Sequence, residues 1–360
     1  MSVIIILFLG FITSFLITIF TIPNLIRLAK FKGLVDVPDN RKVHHQPIPS
    51  LGGIAFFITF WLVTFSLANW DFLLEFRFIL IGSFLLFLVS LKDDLVGIKP
   101  IKRLIIQFVV ATLCYFSGFQ VEGMYGILGV NELPEWINFP LTLLTIGLII
   151  NAYNLIDGIN GLAGSLGVSA MFIFALLFGL QGATQWSLIA LIIAGSIIGF
   201  LRFNFGNASI FMGDNGSTFI GLITAVFFLK FINSDSMIWE ADQVFVIGLS
   251  AIFIPIFDLI RVFFVRISKG GSPMKPDKTH LHHFLLDMGK SHVWICCFIM
   301  GMHFLACLMG TYFTDMLGIT FGLALTIIIE LIVVLGILSS LQLTNIKKME
   351  SNRHTIGYLE

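Results

Sequence analysis

Aspartates in three short motifs are the side chains best placed to do chemistry. Asp93 and Asp94 stand side by side in "LKDDLVGI", and Asp157 and Asp214 follow in two glycine-rich motifs. Adjacent carboxylates repel one another, so a site that holds both recruits a divalent cation or raises one pKa enough to make a general base. A solvated acidic loop is the alternative for the pair taken alone.

The motif "NAYNLIDGINGLAG" places polar side chains at every third position. Asn151, Asn154 and Asp157 are separated by steps of three, which keep them on one slowly turning helix face. Gly158, and the glycines at 161 and 164, let the backbone approach a ligand closely. Polar groups that join neighbouring helices are the alternative for a single asparagine, but they explain this repeated pattern poorly.

A second glycine-rich motif, "LRFNFGNASIFMGDNGSTFIG", contains Asn204, Asp214 and Ser217. An aspartate between glycines at the start of a helix can hold Mg²⁺ beside a phosphate bound by backbone N–H groups. The structural alternative is an N-cap, with Asp214 or Ser217 beginning the next helix. The two interpretations are compatible.

Basic side chains precede a Pro/Gly turn in "DVPDNRKVHHQPIPSLGGIAFF". Arg41, Lys42 and His44 come before the turn from Pro49 to Gly53, which we expect to open a helix. Cations beside a helix start suit an anion such as phosphate. A positively charged cytoplasmic loop is the alternative.

Histidines cluster in "RISKGGSPMKPDKTHLHHFLLDMG". His280, His282 and His283 follow Arg266 in this segment. Imidazoles at H-x-H-H spacing suggest zinc, yet on a short extended segment His280 and His282 share a side while His283 points away. No cysteine stands nearby, and the surrounding positive charge favours recognition of a diphosphate. Ordinary surface histidines are the remaining alternative.

The composition indicates that these motifs belong to a membrane protein. Hydrophobic residues make up 57% of the chain and charged residues 12%, whereas a soluble domain has roughly a quarter charged residues. Apolar runs predict an all-α, polytopic membrane helix bundle with about eleven spans of about 20 residues each. The runs lie near 3 to 26, 51 to 70, 78 to 91, 104 to 120, 139 to 154, 162 to 180, 186 to 203, 217 to 232, 243 to 265, 292 to 312 and 318 to 342. Residues 1–360 are predicted to form a single transmembrane domain, and the third and fifth runs are short for a full crossing.

The lysines and arginines predict the orientation. With eleven spans, all of the 21 basic residues except Arg77 and Lys230 fall on one side. Basic residues favour the cytoplasmic side of short loops. We therefore expect the N-terminus outside, the C-terminus in the cytoplasm, and every motif above on the cytoplasmic face.

In this order and at these span ends, the five segments resemble the polyprenyl-phosphate N-acetylhexosamine-1-phosphate transferase family (glycosyltransferase family 4) along essentially the whole chain. The "SPMKPD" and "THLHH" stretches look like the branch that uses UDP-N-acetylglucosamine and undecaprenyl phosphate. That branch begins O-antigen, enterobacterial common antigen or wall teichoic acid synthesis. The three-histidine form typical of the phospho-MurNAc-pentapeptide branch is absent.

The resemblance implies a role for each matching residue. The catalytic acids are Asp93, Asp94 and Asp157, and the ligand of Mg²⁺, or of Mn²⁺, is Asp214. The substrate-binding residues implied by the resemblance or by the loop charges are Arg41, Lys42, His44, Asn151, Asn154, Asn160, Asn204, Arg266, His280, His282 and His283. Asn160 departs from the family, because many members have a second aspartate there that contacts uracil; an amide can still pair with that base.

The resemblance implies a UDP-sugar and undecaprenyl phosphate as partners, a bacterial inner membrane location, and a homodimer as a candidate assembly. Nucleic acid is not an expected partner. Another UDP-sugar donor is the nearest alternative, and both direct attack and an aspartyl-phosphate intermediate remain open. An ion-coupled transporter is the remote alternative, because its carboxylates usually lie near the bilayer midplane. Here only Glu330 and Asp258 lie at such depths, and neither is assigned a role. We expect Glu330 to face the interior of the bundle and to have a polar partner there.

Overall fold

The computed structural model describes residues 2–35, 47–234, 236, 238–270 and 280–356. Within these residues the regular structure consists of thirteen α-helices, one 3₁₀ turn and an isolated bridge between Gly123 and Glu132. The helices are α1 (Val3–Lys32), α2 (Gly52–Leu67), α3 (Trp70–Val96), α4 (Pro100–Phe116), α5 (Glu135–Ile156), α6 (Leu162–Leu180), α7 (Thr184–Asn204), α8 (Asp214–Ile232), α9 (Ala241–Ser250), α10 (Phe253–Ser268), α11 (Leu281–Asp287), α12 (His292–Leu317) and α13 (Ile319–Ile356).

The predicted all-helical membrane architecture is confirmed, but the count of eleven spans is not. Every predicted apolar run coincides with a helix or with a helix pair. Eight helices in the described chain are long and apolar enough to cross a membrane, or nine if the bent pair of α9 and α10 counts as one span. The remaining two runs correspond to α2, with 16 residues, and α4, with 17 residues.

The third and fifth predicted runs are longer helices than their apolar residues indicate. Helix α3 has 27 residues and α5 has 22. Asn69 caps α3 by accepting a hydrogen bond from the Phe72 backbone N–H at 2.8 Å, well before the apolar run begins. At the other end the helix continues through Asp93 and Asp94. Charged residues at a helix end do not interrupt its internal hydrogen bonds, so hydropathy alone made both predicted helices too short at each end.

The ninth predicted run, 243 to 265, is not a straight span. It consists of α9 and α10, which are bent by 71° at Ala251 and Ile252. Pro255 is the third residue of α10. Because proline lacks a backbone N–H and its ring blocks the preceding turn, it is tolerated near a helix start but not within a continuous helix. The proline therefore explains why a new helix begins there.

Helix α8 lies at the centre of the bundle, where it contacts α2, α3, α5, α6 and α9. A Cβ at Gly221 would lie 2.7 Å from the Ile150 Cα, so α8 and α5 approach as closely as their backbones allow. This packing fixes the direction of α8 and therefore the position of its first residue, Asp214.

The Pro/Gly turn docks directly onto the segment that leads into α8. Phe211 N donates to Pro49 O at 2.7 Å, Gly52 N to Phe211 O at 2.9 Å, and Gly53 N to Met212 O at 2.9 Å. The prediction that this turn opens a helix is confirmed, since α2 begins at Gly52.

Glu330 faces the interior of the bundle, as predicted, and is 1% exposed. Its Oε2 atom has no hydrogen-bond partner within the described part of the protein. The polar partner expected for it is therefore not seen at this oxygen.

Replacing Gly53 with alanine is expected to displace the start of α8. The new Cβ would lie 2.0 Å from Asn215 Oδ1 and 2.4 Å from Gly216 N. Overpacking of this kind costs about 1–3 kcal/mol, so thermal unfolding in detergent should show a lower midpoint. Gly301→Ala is the matched control, because nothing lies within 4 Å of its Cβ position in α12. Equal midpoints for the two variants would contradict the close contact.

Candidate functional site

Arg103 joins the ends of three other helices at one face of the bundle. Its Nη1 atom lies 2.8 Å from Asp93 Oδ2 and 2.8 Å from Asp214 Oδ2. Its Nη2 atom donates to Asn154 Oδ1 at 2.8 Å. Asp93 comes from the last turn of α3, Asn154 from the last turn of α5, and Asp214 from the start of α8. One guanidinium thus bridges two carboxylates and reduces the repulsion between them.

Asp94 holds the N-terminus of α8. Its Oδ1 accepts from the Asp214 backbone N–H at 2.8 Å, and its Oδ2 accepts from Asn215 N at 3.0 Å and Asn215 Nδ2 at 2.6 Å. The first N–H groups of a helix lack internal partners and carry partial positive charge, so a carboxylate there is stabilised. Asp94 therefore orients Asp214 directly.

The two asparagines on the polar face predicted for α5 contact different parts of the protein. Asn154 Nδ2 donates to Asp214 Oδ1 at 2.9 Å and to Ser217 Oγ at 3.0 Å. Asn151, one turn deeper, donates to Gln107 Oε1 at 2.8 Å. Asn154 thus belongs to the acid cluster, whereas Asn151 links α5 to α4. Asp214 is not the N-cap that one interpretation of the sequence predicted. Gly213 is the cap residue of α8, and Asp214 lies in the first turn.

Asp157 follows the last residue of α5 and is half-buried. Among the described residues, none makes a hydrogen bond or ion pair with its carboxyl group. Burial raises the pKa of Asp157 well above its ordinary value, and the nearby charges of Asp214 and Asp94 raise it further. The raised pKa makes this carboxyl a stronger base than an ordinary aspartate, which suits it to accept a proton.

The histidine segment closes against the same end of α5. His280 is the N-cap of α11, and His282 and His283 lie in its first turn, which corrects the expected extended geometry. The rings of His280 and His282 are stacked at 5.7 Å, and His282 and His283 are 4.3 Å apart. Burial, with the neighbouring His283 as a smaller cause, lowers the pKa of His282 to about 3, so this ring is neutral near pH 7.

Gly158 provides the space for His282. A Cβ at Gly158 would lie 2.3 Å from His282 Nε2, and no side chain fits there without moving the ring. Because Gly158 follows Asp157 in the chain, the histidine segment and the acid cluster form one site.

Three further predicted residues lie around this site. Asn160 Nδ2 donates to Gly206 O at 2.7 Å. Asn204 is 4% exposed, and its amide accepts from Gly161 N at 2.7 Å and donates to Ile210 O at 2.9 Å. Arg266 is buried in the last turn of α10. In this structure the two asparagines hold backbone turns in place, and their substrate contacts stay predictions.

Arg41, Lys42 and His44 lie outside the described residues. Their predicted contacts with an anion therefore also stay predictions.

The sequence interpretation missed Arg103 and Asn215 as site residues. Arg103 was considered only for membrane orientation. A signal was available, because an arginine in the first turn of a helix meets the positive end of the helix dipole. Arg103 lies in the first turn of α4, after Pro100, and its local electrostatics therefore indicate acidic partners from elsewhere in the fold.

Asp157→Asn and Asp94→Asn are expected to affect stability in opposite directions. The pKa of Asp157 is higher in the folded than in the unfolded protein. Its contribution to folding stability is therefore complete below the unfolded pKa of about 4 and is lost as pH rises through the raised, folded-state pKa. Asp157→Asn should therefore raise the unfolding midpoint relative to the parent more at pH 8 than at pH 5. Asp94→Asn loses an acceptor for the α8 amides and should lower the midpoint at pH 5.

Thermal unfolding in detergent without divalent cations measures these shifts. A pH-independent loss of stability in Asp157→Asn would contradict the raised pKa.

The comparisons with known proteins agree with this arrangement. The family model described as glycosyl transferase family 4 matches residues 76–232, which include Asp93, Asp94, Arg103, Asp157 and Asp214. The chain is similar to the probable undecaprenyl-phosphate N-acetylglucosaminyl 1-phosphate transferase of Bacillus subtilis (strain 168), with 34% identity over 79% of this chain and 78% of the relative.

Two other relatives carry comparable names. The decaprenyl-phosphate N-acetylglucosaminephosphotransferase of Mycobacterium tuberculosis (strain ATCC 25618 / H37Rv) is 30% identical over 78% of this chain and 76% of its own length. The undecaprenyl-phosphate alpha-N-acetylglucosaminyl 1-phosphate transferase of Escherichia coli (strain K12) is 28% identical over 77% of each chain.

Proposed function

Because the chain belongs to glycosyl transferase family 4 and is a multi-pass membrane phosphotransferase, we propose that it transfers N-acetylglucosamine-1-phosphate from UDP-N-acetylglucosamine to undecaprenyl phosphate and releases UMP. The observation that carries this proposal is the cluster of Asp93, Asp94, Asp157 and Asp214 around Arg103 at one end of the helices. The relatives' names, which specify a polyprenyl phosphate and N-acetylglucosamine, support the choice of substrates.

The reaction requires positioning and charge neutralisation rather than covalent chemistry by the protein. An oxygen of the lipid phosphate attacks the phosphorus that bears the sugar. The bond from that phosphorus to the bridging oxygen breaks, and UMP leaves with the bonding electrons. Both reactants are anions, so they approach each other only where cations offset their charge. Arg103 is the cationic group that the structure places among the acids.

Asp214 fits the proposed role of a magnesium ligand, with manganese as the alternative ion. Its side chain is 33% exposed, and Asp93 shares its Arg103 partner. The described chain contains no group of three acidic, histidine or cysteine side chains that could hold a metal. Magnesium is usually held by one or two carboxylates together with substrate phosphates and water, so Asp214 and Asp93 provide a suitable set. When bound, the ion would neutralise charge on the donor's diphosphate.

Asp157 is proposed to take the proton of the lipid phosphate. The other three aspartates of the cluster are already engaged, since Asp93 accepts from Ile98 N at 2.6 Å and pairs with Arg103, while Asp94 and Asp214 bind the partners described above. These engaged carboxylates favour direct attack by the lipid phosphate over an aspartyl-phosphate intermediate formed on them.

The proposed location is the bacterial inner membrane, with the site on the cytoplasmic face. The basic residues near the site support this orientation by the loop-charge rule, and UDP-sugars are available there. The N-terminus is then outside and the C-terminus cytoplasmic. In this position the enzyme carries out the first membrane step of O-antigen, common-antigen or teichoic acid type glycan synthesis. A homodimer stays a prediction.

A donor panel tests the proposed function. Purified protein with Mg²⁺ and undecaprenyl phosphate should release UMP from UDP-N-acetylglucosamine faster than from other UDP-N-acetylhexosamines or UDP-MurNAc-pentapeptide. Turnover of another donor alone would overturn the sugar assignment but not the family.

The same preparation tests direct attack. Labelled UMP should not exchange into UDP-N-acetylglucosamine when undecaprenyl phosphate is absent. Exchange without the lipid would instead establish a covalent intermediate.

A further inference from the structure

Asp258 is a buried carboxylate that the proposed chemistry does not use. It is the sixth residue of α10, after the bend from α9, and is 3% exposed. His280 Nδ1 lies 2.9 Å from its Oδ2, while Leu281 N donates to Oδ1 at 3.1 Å. Arg261 donates to the same Oδ1 from Nη2 at 2.6 Å and from Nε at 3.2 Å.

This set of contacts determines which nitrogen of His280 carries a proton. Burying a carboxylate is costly unless it is paired and hydrogen-bonded, and Arg261 supplies the opposite charge. An ionised carboxylate can only accept hydrogen bonds, so Nδ1 of His280 must be the protonated nitrogen. A contact between this ring and a ligand is therefore made through Nε2.

The ordered ring is connected to the acid cluster. His280 stacks on His282 with 13° between the ring planes, and His282 lies against Gly158, beside Asp157. The hydrogen bond from Leu281 N to Asp258 also fixes the start of α11. Asp258 therefore holds both the ring of His280 and the backbone that carries His282.

We propose that Asp258 is a positioning residue for the nucleotide-sugar donor, because it accepts the hydrogen bond from Nδ1–H of His280 and supports the positive charge of an imidazolium whose Nε2–H donates to the donor's diphosphate. This inference rests on the proposed function and extends it to a residue outside the acid cluster. It predicts that the loss of Asp258 weakens binding of the nucleotide-sugar donor but not of the lipid acceptor.

The first test replaces Asp258 with asparagine, which preserves the size of the side chain but substitutes an amide donor for one acceptor oxygen. The lost hydrogen bond to a charged group is expected to raise the KM for UDP-N-acetylglucosamine roughly ten- to hundredfold. The KM for undecaprenyl phosphate should stay within about twofold, since a purely structural defect would raise both.

The second test uses His280→Asn, whose amide N–H can still donate to Asp258 but which has no atom at the Nε2 position. It should raise the donor KM as Asp258→Asn does, and the double variant should be no worse than His280→Asn alone. Calorimetric binding of UDP-N-acetylglucosamine to the full-length parent and variants gives an independent measure.

Glu75→Gln is the matched control. It makes the same carboxylate-to-amide change in an ion pair, since Glu75 Oε1 lies 2.7 Å from Lys230 Nζ. Glu75 is near the start of α3, at the opposite end of that helix from Asp93 and Asp94. It should leave both KM values unchanged.

A normal donor KM in His280→Asn, parallel rises in both KM values for Asp258→Asn, or additive effects in the double variant would each overturn the inference. If Asp258→Asn does not fold, His280→Asn decides the question alone. A parent that neither binds this donor nor releases UMP overturns the proposed function as well, whereas an active parent with unaffected variants overturns only the role of Asp258.

Discussion

The ion pairs of Arg103 with Asp93 and Asp214 are the interaction on which the site depends. Four aspartates meet at one end of the bundle, where their mutual repulsion opposes folding. Three features reduce this repulsion. Arg103 pairs with Asp93 and Asp214, the N-terminal amides of α8 bind Asp94, and a raised pKa favours the uncharged, protonated form of Asp157. The carboxyl groups therefore have different surroundings, as is required of a site that must both bind a cation and transfer a proton.

Close backbone packing brings these groups together. The turn containing Gly53 packs directly against the first turn of α8, where a Cβ at Gly53 would lie 2.4 Å from Gly216 N. After the end of α5, Gly158 admits the ring of His282 beside the acids. The glycines thus act by allowing contact between elements that are distant in sequence, and a methyl group at either position would separate the parts of the site.

The sequence predicted the elements that carry the site but not the contacts between them. Hydropathy located the helices, because an apolar run of about 20 residues is typical of a membrane-spanning helix. The motifs around Asp157 and Asp214 were identified as site residues, since polar groups at span ends are conspicuous. Arg103 was missed because its partners lie on three other helices. The contacts of Asn160 and Asn204 with backbone turns, and the bend before Pro255, depend on tertiary packing that residue types alone do not reveal.

The coupling between Arg103 and Asp214 tests the account most directly. UMP release is measured for Arg103→Met, Asp214→Asn and the double variant, with Arg202→Met as a control for loss of an exposed arginine near the end of α7. If the two groups act as one unit, each single variant loses most of the parent's kcat, the double variant is no slower than the slower single variant, and Arg202→Met is unaffected. Independent, multiplicative losses, or near-normal turnover by Arg103→Met, would contradict the claim that this ion-pair cluster is the catalytic centre.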